Sequence, residues 1–222
     1  MGSDDLARRL EEVRARVDAL AGQMSAPGSG EAIANFERAC EEQLELERAL
    51  AAARGEEHAM PYDLGIEWDV GAPLPRLLTN GRSAFVAFYL NEPDPAWDGT
   101  SVRIIDAASE EPAALGLVEF VGCEAVKMGP PNDEVIEGHP LHGKGLDLYE
   151  PHVVVNSRWL NELIEINRVH DQFNPQRWET LDHFLFVFHD ETVEAIARDT
   201  RTSTSHESMG ALITRTAARL GD

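Results

Sequence analysis

His183-Phe184-Leu185-Phe186-Val187-Phe188-His189-Asp190, followed by Glu191 and then Thr192-Val193-Glu194-Ala195-Ile196-Ala197-Arg198, reads as two β-strands joined by a short turn. Side chains on a strand alternate between faces, so Phe184, Phe186 and Phe188 share one side and His183, Leu185, Val187 and His189 the other. Three phenylalanines in register demand a core. The opposite face keeps its histidines and charges. If Asp190-Glu191 is a two-residue turn, His189 lies opposite Thr192, Val187 opposite Glu194 and His183 opposite Arg198. Asp-Glu is a poor type I′ turn, so a longer loop with a shifted register is the alternative.

Around this pair the chain divides in two. Leu6, Leu10, Val13, Val17, Leu20 and Met24 are spaced 4-3-4-3-4, a heptad seam that predicts a helix over residues 4–24. Ser25-Ala26-Pro27-Gly28-Ser29-Gly30 breaks it. Phe36, Ala39, Leu46, Leu50 and Ala53 continue a similar seam over 31–54, with Gln43 as a polar interruption and Gly55 as the stop. Residues 1–60 therefore read as an antiparallel helical hairpin. Two helices alone bury little, so the seam calls for a partner: the rest of the chain or a second copy.

From residue 61 to 222 the pattern is an α+β domain with a mainly antiparallel sheet. Ser83–Leu90, Val102–Asp106 and Leu115–Met128 read as strands, the last as one bent strand or two with Gly122 as a bulge. Asn156 or Ser157 caps a helix running to about His170, with Leu160, Leu163 and Ile164 as its buried stripe. Phe173–Thr180 reads as a turn, and Asp199–Ser203 as a polar tail. Thr204-Ser205-His206-Glu207 matches the capping box of a last helix carrying Met209, Leu212, Ile213, Ala217 and Leu220.

Composition narrows the function classes. The 222 residues carry a net charge of −21, which opposes phosphate backbones and favours solubility or a basic protein partner; nucleic acid is not an expected partner. Only Lys127 and Lys144 are lysines among the nineteen basic residues, a usage typical of high-GC bacterial genomes. No signal-peptide pattern and no apolar run long enough for a bilayer is present, so a cytoplasmic protein without a membrane partner is expected. Cys40 and Cys123 stand alone, and two reduced thiols are expected.

The glycine-rich stretch Gly138-His139-Pro140-Leu141-His142-Gly143-Lys144-Gly145-Leu146 supplies two more histidines. The loop over 129–151 is long for a compact domain, and such loops are often functional. Its glycines allow close approach to a sheet. His139, His142, His183, His189 and Glu194, with Arg198 at the rim, form the candidate site, an acid–base or ligand-binding floor; the alternative is a solvated sheet face with cross-strand ion pairs. Gly143-Lys144-Gly145 offers amides and an ammonium to an anion. No CxxC, HExxH, EF-hand or GxSxG pattern occurs, so a structural zinc is not expected, and the sequence identifies no cofactor. Trp159 and Trp178 flank the candidate site.

PNDEVIEGHPLHGKGLDLY, VVNSRWLNELIEINRVH and HFLFVFHDETVEAIA resemble segments of a group of uncharacterised bacterial proteins, over about residues 118–198. The group has no known activity, so the resemblance implies no site role. Two functions remain: a non-catalytic binding protein that holds itself or a protein partner through the hairpin and its acidic surface, or a small acid–base or metal-assisted enzyme with its His/Glu site between the 139–146 loop and the 183–198 hairpin.

Overall fold

The structure, a computed structural model, describes residues 2–23, 30–92 and 110–221. Met24, the breaker at 25–29 and the expected strand Val102–Asp106 lie outside them. The chain is α+β. Helices α1 (Ser3–Gln23) and α2 (Gly30–Ala53) precede two antiparallel sheets and further helices.

The first sheet has the order β1 (His58–Pro61), β6 (Pro151–Val155), β7 (Asp182–Val187), β8 (Thr192–Ala197), β5 (Ala125–Gly129). The second runs β2 (Arg76–Thr79), β3 (Ala84–Tyr89), β4 (Ala113–Val121), β9 (Asp199–Glu207). Phe184, Phe186 and Phe188 of the first sheet meet Val86, Phe88, Val118 and Phe120 of the second, with Trp68 wedged among the rings. The phenylalanine alternation is thus the seam of a sandwich. The outer face of the second sheet packs on α5 (Met209–Arg219) through Met209 and Leu212. The outer face of the first sheet is covered by a short 3-10 helix (Asp133–Gly138) and its following loop, through Ile136 and Leu141 on Val154, Leu185 and Val187.

Residues 115–128 form two strands, not one bent strand. Gly122, at φ 65°, turns the chain from β4 in one sheet to β5 in the other. The β7–β8 turn differs from the two-residue expectation. Val187 pairs with Thr192, Leu185 with Glu194 and His183 with Ile196, and Phe188–Glu191 forms the loop. The slip is two residues, an even number, so every side chain keeps its face.

The polar tail and capping box are also corrected. Asp199–Glu207 is strand β9, paired along its length with β4, and Ser208 caps α5 by accepting the Ala211 N–H. A Thr- and Ser-rich run has good β propensity, and an edge strand tolerates polar residues on both faces. The helix α3 (Arg158–Asn167) is shorter than expected, and Leu160, Leu163 and Ile164 are only half-buried. A one-turn helix, α4 (Pro175–Trp178), lies within the expected 173–180 turn.

The hairpin closes its seam within the chain. Leu6, Leu10 and Val13 pack on Leu46 and Leu50. It then docks on the sheet edge. Glu47, buried in α2, accepts from Arg14, Gln43 and the Gly145 N–H, and Arg48 donates to the Gly145 carbonyl. The first strand, His58–Pro61, begins inside the 1–60 segment and pairs with β6.

Candidate functional site

Three strands set a polar row on the outer face of the first sheet. Register places Lys127, Glu194 and Leu185 side by side on β5, β8 and β7. His183 lies two residues from Leu185, on the same face and diagonal to Glu194. The Glu194 carboxylate accepts from His183 Nε2 at 2.8 Å and from Lys127 Nζ at 3.0 Å. The other ring nitrogen, His183 Nδ1, is 2.8 Å from Ser157 Oγ. Burial opposes ionisation of Glu194, but the bonds from His183 and Lys127 outweigh it and hold its pKa below the ordinary value. An ionised carboxylate only accepts, so neutral His183 carries its proton on Nε2 and its Nδ1 accepts the Ser157 hydroxyl.

Ser157 sits where β6 turns into α3. Asn156 takes the left-handed conformation at φ 55°, which asparagine tolerates. Ser157 then caps α3 by accepting the Leu160 N–H at 3.0 Å. Trp159, on the first turn, has its ring edge-on to His183 with centroids 5.2 Å apart, and Lys127 Nζ lies 4.5 Å from the Trp159 ring centroid. Glu57 accepts from the Arg158 N–H and guanidinium, so a carboxylate of the chain occupies the helix N-terminus. His139 joins this group. Burial pushes its pKa down against the pull of Glu194 and Glu57, and its Nδ1 accepts the Leu141 N–H, which leaves the proton on Nε2.

The other sequence-derived candidates are elsewhere. His189 Nδ1 lies 2.7 Å from Asp133, which also accepts the Tyr149 hydroxyl at 2.5 Å; this clasp holds the 3-10 helix to the β7–β8 loop. His142 is exposed and lines a cavity of about 700 Å³ between the hairpin and the 142–144 loop. Arg198 lies over Gly122 at the β4–β5 corner. Lys144 pairs with Glu56 at 3.4 Å, and Glu47 takes the Gly145 amide, so internal carboxylates meet the anion-binding features of that loop. The single shared cleft is therefore reduced to His139, His183 and Glu194. Among the described residues no group of three or more His, Cys, Asp or Glu side chains has a metal-holding arrangement.

Sequence reasoning missed Ser157, Lys127 and Glu57 as site residues. Ser157 reads as an ordinary cap, and its contact with His183 spans 26 residues. Lys127 carries a usable signal: one of two lysines, on a strand that the hairpin register can extend. Trp159 joins the site, whereas Trp178 stacks on Phe173.

Among the described residues no helix is long and apolar enough to cross a membrane. No protein-family model matches the chain, and no curated protein or solved structure is similar to it.

Proposed function

We propose that the chain is a serine-dependent hydrolase or acyl transferase acting on small carbonyl substrates. The observation that carries this reading is the buried relay in which both ring nitrogens of His183 are engaged at 2.8 Å, one by Ser157 and one by Glu194. Nucleophile, base and orienting carboxylate within hydrogen-bond reach are the signature of an activated hydroxyl. Ser157 Oγ attacks the carbonyl carbon while its proton passes to His183 Nδ1. Glu194 stabilises the imidazolium through Nε2–H. The tetrahedral oxyanion collapses, the leaving group takes the proton from His183, and water repeats the sequence to free Ser157. Lys127 supplies positive potential beside the relay. Ser157 and His183 are buried and Trp159 stands edge-on to His183, so admission of substrate requires Trp159 and α3 to shift, which a helix with no buried residue permits.

A fluorophosphonate probe tests this. A single adduct on Ser157 is expected, absent in Ser157→Ala and His183→Asn. Glu194→Gln is expected to slow labelling by roughly 10²- to 10⁴-fold. No adduct on the native chain, together with no ester hydrolysis that Ser157→Ala lacks, overturns the proposal.

A second reading is favoured by the Leu160 N–H bond to Ser157 and by Glu57 at the helix N-terminus. Here the relay anchors α3, and the chain is a non-catalytic binding protein that self-associates through the half-exposed end of the hairpin seam, at Val17 and Leu20. Sedimentation of the full chain and of Val17→Glu/Leu20→Glu separates the readings. A dimer lost in the double variant, with no serine adduct, favours the second.

A further inference from the structure

The segment from Pro61 to Val70 forms, with residues 148–151 of the loop before β6, an open groove of about 930 Å³. That is the size that takes a few residues of peptide. Its lining includes Tyr62, Asp63, Glu67, Trp68, Tyr149 and Glu150, and no lysine, arginine or histidine among the described residues. Asp63 spends one oxygen on the Gly65 N–H, while Glu67 and Glu150 have no polar side-chain partner among the described residues. Burial, then the charges of Asp147 and Glu67, push the Glu150 carboxyl above its ordinary pKa. Arg48 offsets Asp147 from outside the groove, but Glu67 and Glu150 face one another across it, and like charges held together disfavour one another, so a cation in the groove relieves them.

Two further features belong to the same walls. Trp68, only 3 % exposed, contributes to the lining, and its indole N–H has no acceptor among the described residues. A buried donor left unpaired is costly and marks a place where an acceptor fits. Tyr62 and Tyr149 have their hydroxyls tied to Thr200 and Asp133, so ring surface is what they offer, and aromatic surface attracts guanidinium.

We infer that this groove binds an arginine-bearing peptide segment of a partner protein, its guanidinium among Asp63, Glu67 and Glu150 and a backbone carbonyl on the Trp68 N–H. A bare amine satisfies only the carboxylates, whereas a peptide satisfies both sets of groups. The net charge of −21 steers a basic partner toward this surface. None of these residues belongs to the Ser157 relay, so the two readings fail independently.

Calorimetric titration of the full chain at fixed low ionic strength tests it with three probes: acetyl-Gly-Arg-Gly-amide, acetyl-Gly-Ala-Gly-amide and agmatine. Saturable one-to-one binding of the arginine peptide is expected, with agmatine at least about tenfold weaker and no binding of the alanine peptide. Glu67→Gln and Glu150→Gln are each expected to weaken the arginine peptide about tenfold, and Glu11→Gln on α1 to leave it unchanged. Trp68→Phe keeps a ring, removes the N–H, and is expected to weaken the peptide but not agmatine. Absence of saturable binding, equal binding of the alanine peptide, agmatine as tight as the arginine peptide, or an equal loss in Glu11→Gln each overturns the inference.

Discussion

At Ser157 one hydroxyl serves two structures. Its lone pair receives the Leu160 N–H and its proton goes to His183. Ser157→Ala therefore removes a helix cap, worth about 1 kcal/mol, and leaves a buried imidazole nitrogen unpaired, worth about 1–3 kcal/mol. A loss of about 2–4 kcal/mol in denaturant unfolding is expected, with Ser157→Thr recovering most of the cap. His152 gives a pH dependence at the same scale. It is fully buried, its Nε2 accepts the Asp147 N–H, and burial, helped by nearby Arg48, pushes its pKa down to about 4. The unfolded histidine titrates near 6.5, so between those values the unfolded chain binds the extra proton. Stability from this group is complete above pH ~6.5 and is lost as pH falls toward ~4, on the order of 3 kcal/mol in all. Unfolding midpoints at pH 7 and pH 4.5 measure the loss, and an NMR titration of the imidazole locates its pKa; a His152 resonance titrating near 6.5 contradicts it.

Among the elements, α3 and the hairpin contrast. The helix α3 has no buried residue, with Ile166 66 % exposed and Val169, just past its end, 87 % exposed, and is tied to the sheet mainly at its N-terminus through Ser157, Trp159 and Glu57. Low packing predicts low local stability. Amide exchange over 158–170 is expected to be faster than over β7 or β8, and faster still in Ser157→Ala. The hairpin is held by buried Glu47. Glu47→Ala strips Arg14, Gln43 and the Gly145 amide of their shared acceptor; Arg14 stays partly in water, so a cost of about 1–3 kcal/mol is expected. Proteolysis in the 142–145 loop is the local readout. Gly145 is fixed more tightly still: at φ 83°, an added Cβ stands 2.7 Å from the Ala59 carbonyl oxygen, so Gly145→Ala is expected to loosen the same junction.

For the whole molecule, charge is the dominant global term. A net −21 on 222 residues repels itself, and salt screens that repulsion. The thermal midpoint is expected to rise between low salt and about 0.15 M, where the screening length falls to about 8 Å. A midpoint that falls instead shows that the exposed ion pairs, such as Arg8 with Asp5 and Glu12, outweigh the net repulsion. The same field lies over the groove at Tyr62–Glu150, where steering of a basic segment is strongest at low salt.

The two N-terminal helices and the strands within 83–90, 115–128 and 183–198 were legible because they depend on local periodicity, whereas the short strands β1, β2 and β6 were not. The heptad seam marks α1 and α2, and the Phe184–Phe188 alternation marks a strand with one face in a core. What the periodicity does not carry is pairing. A period-2 strand shows which residues share a face, so His183 and Glu194 are readable together despite a register two residues off. Which loop covers that face is set by long-range packing, and so the sequence placed His142, His189 and Arg198 with them. The β9 correction has the same source. Thr204-Ser205-His206-Glu207 suits a helix cap or an edge strand, and only the open edge of β4 decides between them. Ser157 is the sharpest case. The sequence determines that it caps a helix, a bond to Leu160 three residues away. Tertiary structure alone brings it to His183, because two strands that pair through the backbone dictate where β6 ends and α3 begins over the sheet.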